Sequence, residues 1–265
     1  MALFTDGQIN TLQALERYES GLLNVASVEQ INITSKMALA QDLIASELLL
    51  FLLKRSQATT GMNLSFGQTD WARRLLGVSD VVSTDPLQRW HAVKTMELVY
   101  RDAYNNQLND RYLGKWREYQ DLGKDASETL WETGVGTISD PVARAVEPLL
   151  VSITGDMPAT SYYVRISWIN QAGQEGAASN GVGLQTADGT QLVVSPVSAP
   201  ANATGWNVYV GSLPEGVTRQ NWVPLGLNVD WVVPETGLRL GNEPSNGQNP
   251  DRYVVDRVGR RSLRG

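Results

Sequence analysis

The sequence predicts an α+β protein: an N-terminal bundle of long helices, then a β-sandwich, then an extended C-terminal tail. Three observations predict it. Residues 1–148 hold 9 of the 24 glycines and 3 of the 11 prolines, whereas the remainder holds 15 and 8. Both residue types are costly inside helices and natural between strands. Within the first half, apolar and aromatic residues recur in steps of three or four. In the second half they alternate, with turn residues between the runs. The domains so drawn are 1–148, 149–240 and 241–265.

Asp6 is a plausible N-cap for a helix over 7–18. A second, long helix is expected over 28–56. Its run Leu48–Leu53 is apolar on every face, so other helices should surround it. Residues 61–67 read as a loop, and 70–76 as a short helix ending at Gly77. Thr84 or Asp85 can cap the third major helix, with Pro86 in its first turn. Its stripe runs Trp90, Val93, Met96, Tyr100, Tyr104, Leu108, Tyr112, Trp116, Tyr119, Leu122, Ala126 and Leu130, and Gly134 is the stop. Unbroken, such a helix would be about 70 Å long. Gly114 or Gly123 should divide or kink it. Residues 134–148 form a linker, with room for one short helical turn between Pro141 and Pro148.

In the β half, Tyr162, Val164, Ile166 and Trp168 share one face of a strand. Residues 181–186 and 191–195 bracket Asp188-Gly189 and read as a hairpin. Residues 206–210, 221–225 and 229–233 are further strands. The last fifteen residues carry Arg252, Arg257, Arg260, Arg261 and Arg264 against Asp251 and Asp256, a local excess of +3 on a chain of net charge −6. Tyr253, Val254, Val255 and Val258 there fit one short strand.

Composition excludes several classes. At 42% apolar and 19% charged, the chain can fill a core. Net acidity argues against a dedicated nucleic-acid binder. The absence of cysteine removes disulfides, thiolate metal sites and thiol nucleophiles. The first residues lack the basic-then-apolar pattern of a signal peptide, and no apolar run approaches a membrane span. Residence in a cytosol without membrane contact is the expectation.

No residue set predicts catalysis. His91, the only histidine, lacks partners for a triad or metal site and reads as a helix-surface or interface residue. Gly134-Val-Gly136 lacks the third glycine of a dinucleotide loop and follows a helix, so it reads as stop and linker. Glu97, Asp102, Asp110, Glu118, Asp121, Asp125, Glu128 and Glu132 are interleaved with Arg101, Arg111, Lys115, Arg117 and Lys124, the pattern of a solvated or inter-subunit helix face. No cofactor, no metal and no enzymatic activity are expected. Trp90, Trp116 and Trp131 belong to the helical stripe. Trp206, Trp222 and Trp231 lie in the β half, where alternation puts at least one in the core and an exposed one could stack on sugar. The arginine-rich end can touch DNA phosphates or dock on an acidic groove of a partner, and the plain alternative is a disordered end. The interspersed Tyr253, Val254, Val255 and Val258 favour docking.

Two resemblances follow from these residues. Tyr162-Tyr-Val-Arg-Ile-Ser-Trp-Ile-Asn-Gln-Ala-Gly-Gln-Glu-Gly176 and Gly205-Trp-Asn-Val-Tyr-Val-Gly211 resemble parts of a fibronectin type III or immunoglobulin-like module, in reversed chain order. Residues 85–112, Asp-Pro-Leu-Gln-Arg-Trp-His-Ala-Val-Lys through Asn-Asp-Arg-Tyr, resemble the helical head–tail connector (neck adaptor) proteins of tailed phages, loosely over 1–148. That resemblance implies a structural virion protein of the neck, assembled in the bacterial host cytoplasm. It implies a ring homo-oligomer, commonly a dodecamer, that joins the capsid portal to a tail or stopper protein and makes transient, non-specific contact with passing DNA. It also implies that the C-terminal tail grips the portal, through Arg252, Tyr253, Val255, Arg257, Arg260, Arg261 and Arg264. A carbohydrate- or receptor-binding module built on the tryptophan-rich β half is the alternative, and an enzyme acting on cell-wall sugar is a third reading.

Overall fold

The computed structural model describes residues 1–60, 75–107 and 110–255, without the side chains of 55–60 and 107. It is α+β, with five helices and three antiparallel sheets among the described residues. Two compact units form. One joins Met1–Asp6 to Asp140–Asn249, and the other joins Gly7–Ser139 to Pro250–Gly265. The sequence had placed the breaks at 148 and 240. The short helix expected over 70–76, with its loop, lies outside the described residues apart from 75 and 76.

The helical unit begins with α1 (Leu12–Tyr18) and α2 (Leu22–Val28). The cap of α1 is Thr11, whose hydroxyl accepts from the Ala14 N–H at 3.1 Å, not Asp6. Asp6 instead accepts from the Leu3 N–H and, through Oδ1, from the Arg144 N–H, both at 2.9 Å within the β unit. α3 (Ile33–Thr60) starts five residues later than expected. Asn32 accepts from the Ser35 N–H at 3.0 Å there, and this side-chain cap sets the start. α4 (Asp85–Gln107) and α5 (Leu113–Thr133) divide the long aromatic stripe just before Gly114.

The stripe survives the division. Trp90 meets Trp131 with ring centroids 5.7 Å apart, Tyr100 stacks on Tyr119 at 5.4 Å, and Tyr104 stacks on Trp116 at 5.7 Å. Partners whose numbers rise on one helix as they fall on the other make an antiparallel hairpin, so one long apolar face has folded onto itself. Buried residues of α1, α2 and α3 close this core: Leu15, Leu22, Ile33 and Met37 cluster with Val93, Met96, Val99 and Ala103. Polar groups at its margin are paired. Glu19 accepts from the Tyr119 hydroxyl at 2.7 Å and from Lys115 at 3.0 Å. These hydrogen bonds, Tyr119's above all, hold its carboxyl below the ordinary value. Burial first, and then the Glu19 bond, push the Tyr119 phenol far above its ordinary range.

Gly134 ends α5 with φ of 97°, a conformation glycine adopts freely, and its N–H donates to the Leu130 carbonyl at 2.8 Å. The linker that follows is not helical between its prolines. It opens with β1 (Val135–Thr137), which pairs antiparallel with β9 (Arg252–Val254). On its other side, Val82 donates to the Gly136 carbonyl and Ile138 to the Asp80 carbonyl, both at 2.9 Å.

In the β unit, β2 (Leu149–Thr154), β5 (Thr190–Ser195) and β8 (Trp231–Val232) form one sheet, ordered β2-β5-β8. β3 (Ser161–Asn170), β4 (Val182–Gln185), β6 (Ala203–Gly211) and β7 (Thr218–Arg219) form the other, ordered β4-β3-β6-β7. The expected 181–195 hairpin is therefore absent. The Asp188-Gly189 turn carries the chain from one sheet to the other, and Gly189 supplies the φ of 73° there. One core serves both sheets: Tyr162, Val164, Ile166 and Trp168 of β3, Trp206, Val208 and Val210 of β6, Leu192 and Val194 of β5, and Trp231 of β8. The alternation read for β3 holds. The Trp206 indole N–H finds the Gly226 carbonyl at 3.0 Å, which removes the penalty of burying it.

Candidate functional site

On α3, Ile33, Met37, Ala40, Ile44, Leu48 and Leu52 are buried, in helical steps of three and four. A second apolar row, Leu39, Leu43, Leu50 and Leu53, stands on another face and is 37–58% exposed. Its steps of four, seven and three fit a heptad seam with Ser46 in the gap, and Leu49 beside it is 42% exposed. Asp42, Glu47 and Lys54 lie alongside. The sequence reading surrounded Leu48–Leu53 with helices on every side. Within this chain only Leu48 and Leu52 of the run are fully covered.

The tail residues fall in two groups. Arg252 and Tyr253 lie on β9, opposite Thr137 and Gly136, and Val255 follows it. Arg252 is exposed, Tyr253 is half exposed, and Val254 after them is buried. The strand is tightly fitted. A Cβ on Gly136 would stand 2.8 Å from Pro250 Cγ, and one on Gly134 would stand 3.0 Å from Val255 Cγ2. Asp251 accepts from both the N–H and the hydroxyl of Ser139, at 2.9 and 2.7 Å. Arg257, Arg260, Arg261, Arg264 and Val258 lie outside the described residues.

The preceding residues are not a loose connector. Asn242 accepts at its carbonyl from the Arg219 N–H, and Ser245 from the Ala178 N–H. Gln248, almost wholly buried, accepts from the Val142 N–H at 2.6 Å and donates to the Asp140 carbonyl at 3.0 Å. Among the described residues, the stretch drawn as tail is thus built into the β unit as far as Asn249 and into the helical unit from Pro250 to Val255. No pattern in the sequence marks these long-range bonds, because each uses a single polar side chain or backbone group.

The chain matches no family model and no curated protein.

His91 is not on a surface. It is fully buried, with Nδ1 3.0 Å from Asn10 Nδ2 and Nε2 3.0 Å from the Met37 carbonyl. The carbonyl can only accept and the amide can only donate, so the ring is neutral with its proton on Nε2. Burial, the larger effect, lowers its pKa against the opposing pull of the Met37 bond. The helix carboxylates are partly paired: Glu97 with Lys94 at 2.8 Å, Asp121 with Lys124 at 2.8 Å, and Asp102 with Lys36. Among the described residues no group of carboxylates and histidine has metal-binding geometry, and no helix is long and apolar enough to cross a membrane. Trp206 and Trp231 are core residues, whereas Trp222 is 83% exposed. The sequence could place one tryptophan inside but could not say which was out.

Proposed function

We propose that this chain is a non-enzymatic structural subunit of a tailed-phage neck, a ring-forming adaptor between the capsid portal and a tail or stopper protein, lining the path of DNA. The observation that carries this reading is the half-exposed leucine seam on α3. Apolar faces with heptad spacing associate helix to helix, and a ring subunit needs a face that only a copy of itself covers. The helical hairpin with its mixed-charge surface supports the same reading. So does the anchoring of Arg252–Val254, which fixes the origin of the arginine-rich end that would reach the portal. The two β sheets, sharing one core, support an immunoglobulin-like sandwich appended to the adaptor, with the β3–β4 pair placed earlier in the chain than its counterpart in an ordinary module.

Solution mass tests the proposal. The full chain should form a multimer, alone or on a portal ring, and the double variant L43E/L50E should be monomeric with unchanged helical circular dichroism. A wild-type chain that stays monomeric even with portal present refutes it. The exposed Trp222 favours a second reading, a carbohydrate-binding role for the β unit.

A further inference from the structure

β7 is followed by Gln220, whose buried side chain ties two stretches of chain together. Its amide donates to the carbonyls of Thr218 and Arg239 at 2.9 and 3.0 Å, and its carbonyl accepts from the Arg239 N–H at 2.8 Å. The Arg219 N–H donates to the Asn242 carbonyl at 2.9 Å. Residues 239–242 are thereby laid against β7, so closely that a Cβ on Gly241 would overlap the Arg219 carbonyl. The result is an open cavity of about 280 Å³ lined by Arg219, Trp222, Arg239 and Asn242, among others.

Its chemistry is unusual for a chain of net charge −6. Arg239 places its guanidinium carbon 5.9 Å from the centre of the Trp222 ring. Arg219 has a buried Nε with no hydrogen-bond partner and only a 3.5 Å contact from Nη2 to the Trp222 carbonyl. Among the described residues neither arginine has a carboxylate within ion-pair distance. A buried donor left unsatisfied is costly, and guanidinium pairs best with a planar oxyanion. Beside these donors stands an indole 83% open to solvent, a flat surface suited to the C–H face of a sugar ring.

We infer that this cavity is a binding site for an acidic saccharide. The carboxylate of a uronic-acid type of sugar pairs with Arg219 and Arg239 while its pyranose ring lies on Trp222. Asn242 and Asn221 border the place where the hydroxyls would fall. A nucleic-acid ligand fits the same donors less well, because two guanidinium groups beside a single indole match one planar carboxylate on a sugar ring, whereas a phosphate backbone calls for a longer basic track. The site uses only residues of the β unit and does not depend on ring formation. The two ideas therefore fail separately: one by solution mass, the other by glycan binding.

The test is titration of the full chain with oligogalacturonate, followed by tryptophan fluorescence and calorimetry. Neutral galacto-oligosaccharide of the same length, acetate and a single-stranded oligonucleotide are the comparison probes. The acidic oligosaccharide should bind saturably and at least about tenfold more tightly than the neutral one, weakening as salt rises. W222A and R239Q should each lose about tenfold or more in affinity with an unchanged melting temperature. R219Q is a third variant, since its backbone bond to Asn242 is retained. Equal binding of the neutral sugar, full competition by acetate alone, tighter binding of the oligonucleotide, or undiminished binding by W222A and R239Q would each overturn the inference.

Discussion

Asn10, His91 and the Met37 carbonyl form a buried chain of hydrogen bonds with one allowed protonation state. A second ring proton would face the Asn10 amide, which has only donors to offer at that point. Because the folded pKa lies below the ordinary 6.5, the unfolded chain binds the proton more readily. The contribution of His91 to stability is therefore full above about pH 6.5 and is lost as pH falls from there toward the folded value. Denaturant melts across that window should show stability declining with acid, and His91→Gln should flatten the decline. An unchanged slope in that variant would show that other groups carry it. The sequence located this residue on a helix but not on the buried side. Asn10 lies 81 positions away, and only packing brings it to the ring.

The short strand β9 is where the tail reading changes most. Val254 is buried and pairs in register with Val135, while Asp251 ties down Ser139. A chain ended after 255 is the reference. Ending it after 249 should remove the β1 pairing and lower stability by about 1–3 kcal/mol, from the loss of a few net hydrogen bonds and one buried valine. Equal melting temperatures for the two truncations would contradict that role. If portal binding needs the arginines alone, both truncations abolish it, and only the shorter chain is also less stable. The element itself was legible, since Tyr253, Val254 and Val255 form a run of strand-favouring residues. Its partner was hidden, because Val135-Gly-Thr137 is too short to carry a periodic signal and directly follows a helix stop.

The molecule divides its tryptophans between support and surface. Trp206 is fully buried between the two sheets, and Trp222 is open. Trp206→Ala should destabilise the β unit by about 3–5 kcal/mol through loss of contact and the cavity left behind. Trp222→Ala should change its melting by no more than about 0.5 kcal/mol. Chemical denaturation of the two variants checks this contrast, and a large loss at Trp222 would mean that its ring is structural. The leucine seam on α3 has the opposite character. Its leucines are only half covered within one chain, so L43E/L50E should change solution mass far more than the unfolding midpoint of a dilute monomer.

Local chemistry read from the sequence was sufficient for the class of each half, the inward face of β3, the stop at Gly134 and the aromatic stripe from Trp90 to Leu130. Each of these depends on periodicity or on a single residue's backbone preference, and neither needs a distant partner. Tertiary structure decided the rest. It split the stripe into two facing helices, sent β4 and β5 to different sheets, buried His91, and wove residues 241–255 through both units. These outcomes rest on pairings across tens to more than a hundred residues. A pairing of that kind is fixed by which packed arrangement satisfies all buried groups together, and no window along the chain contains that information.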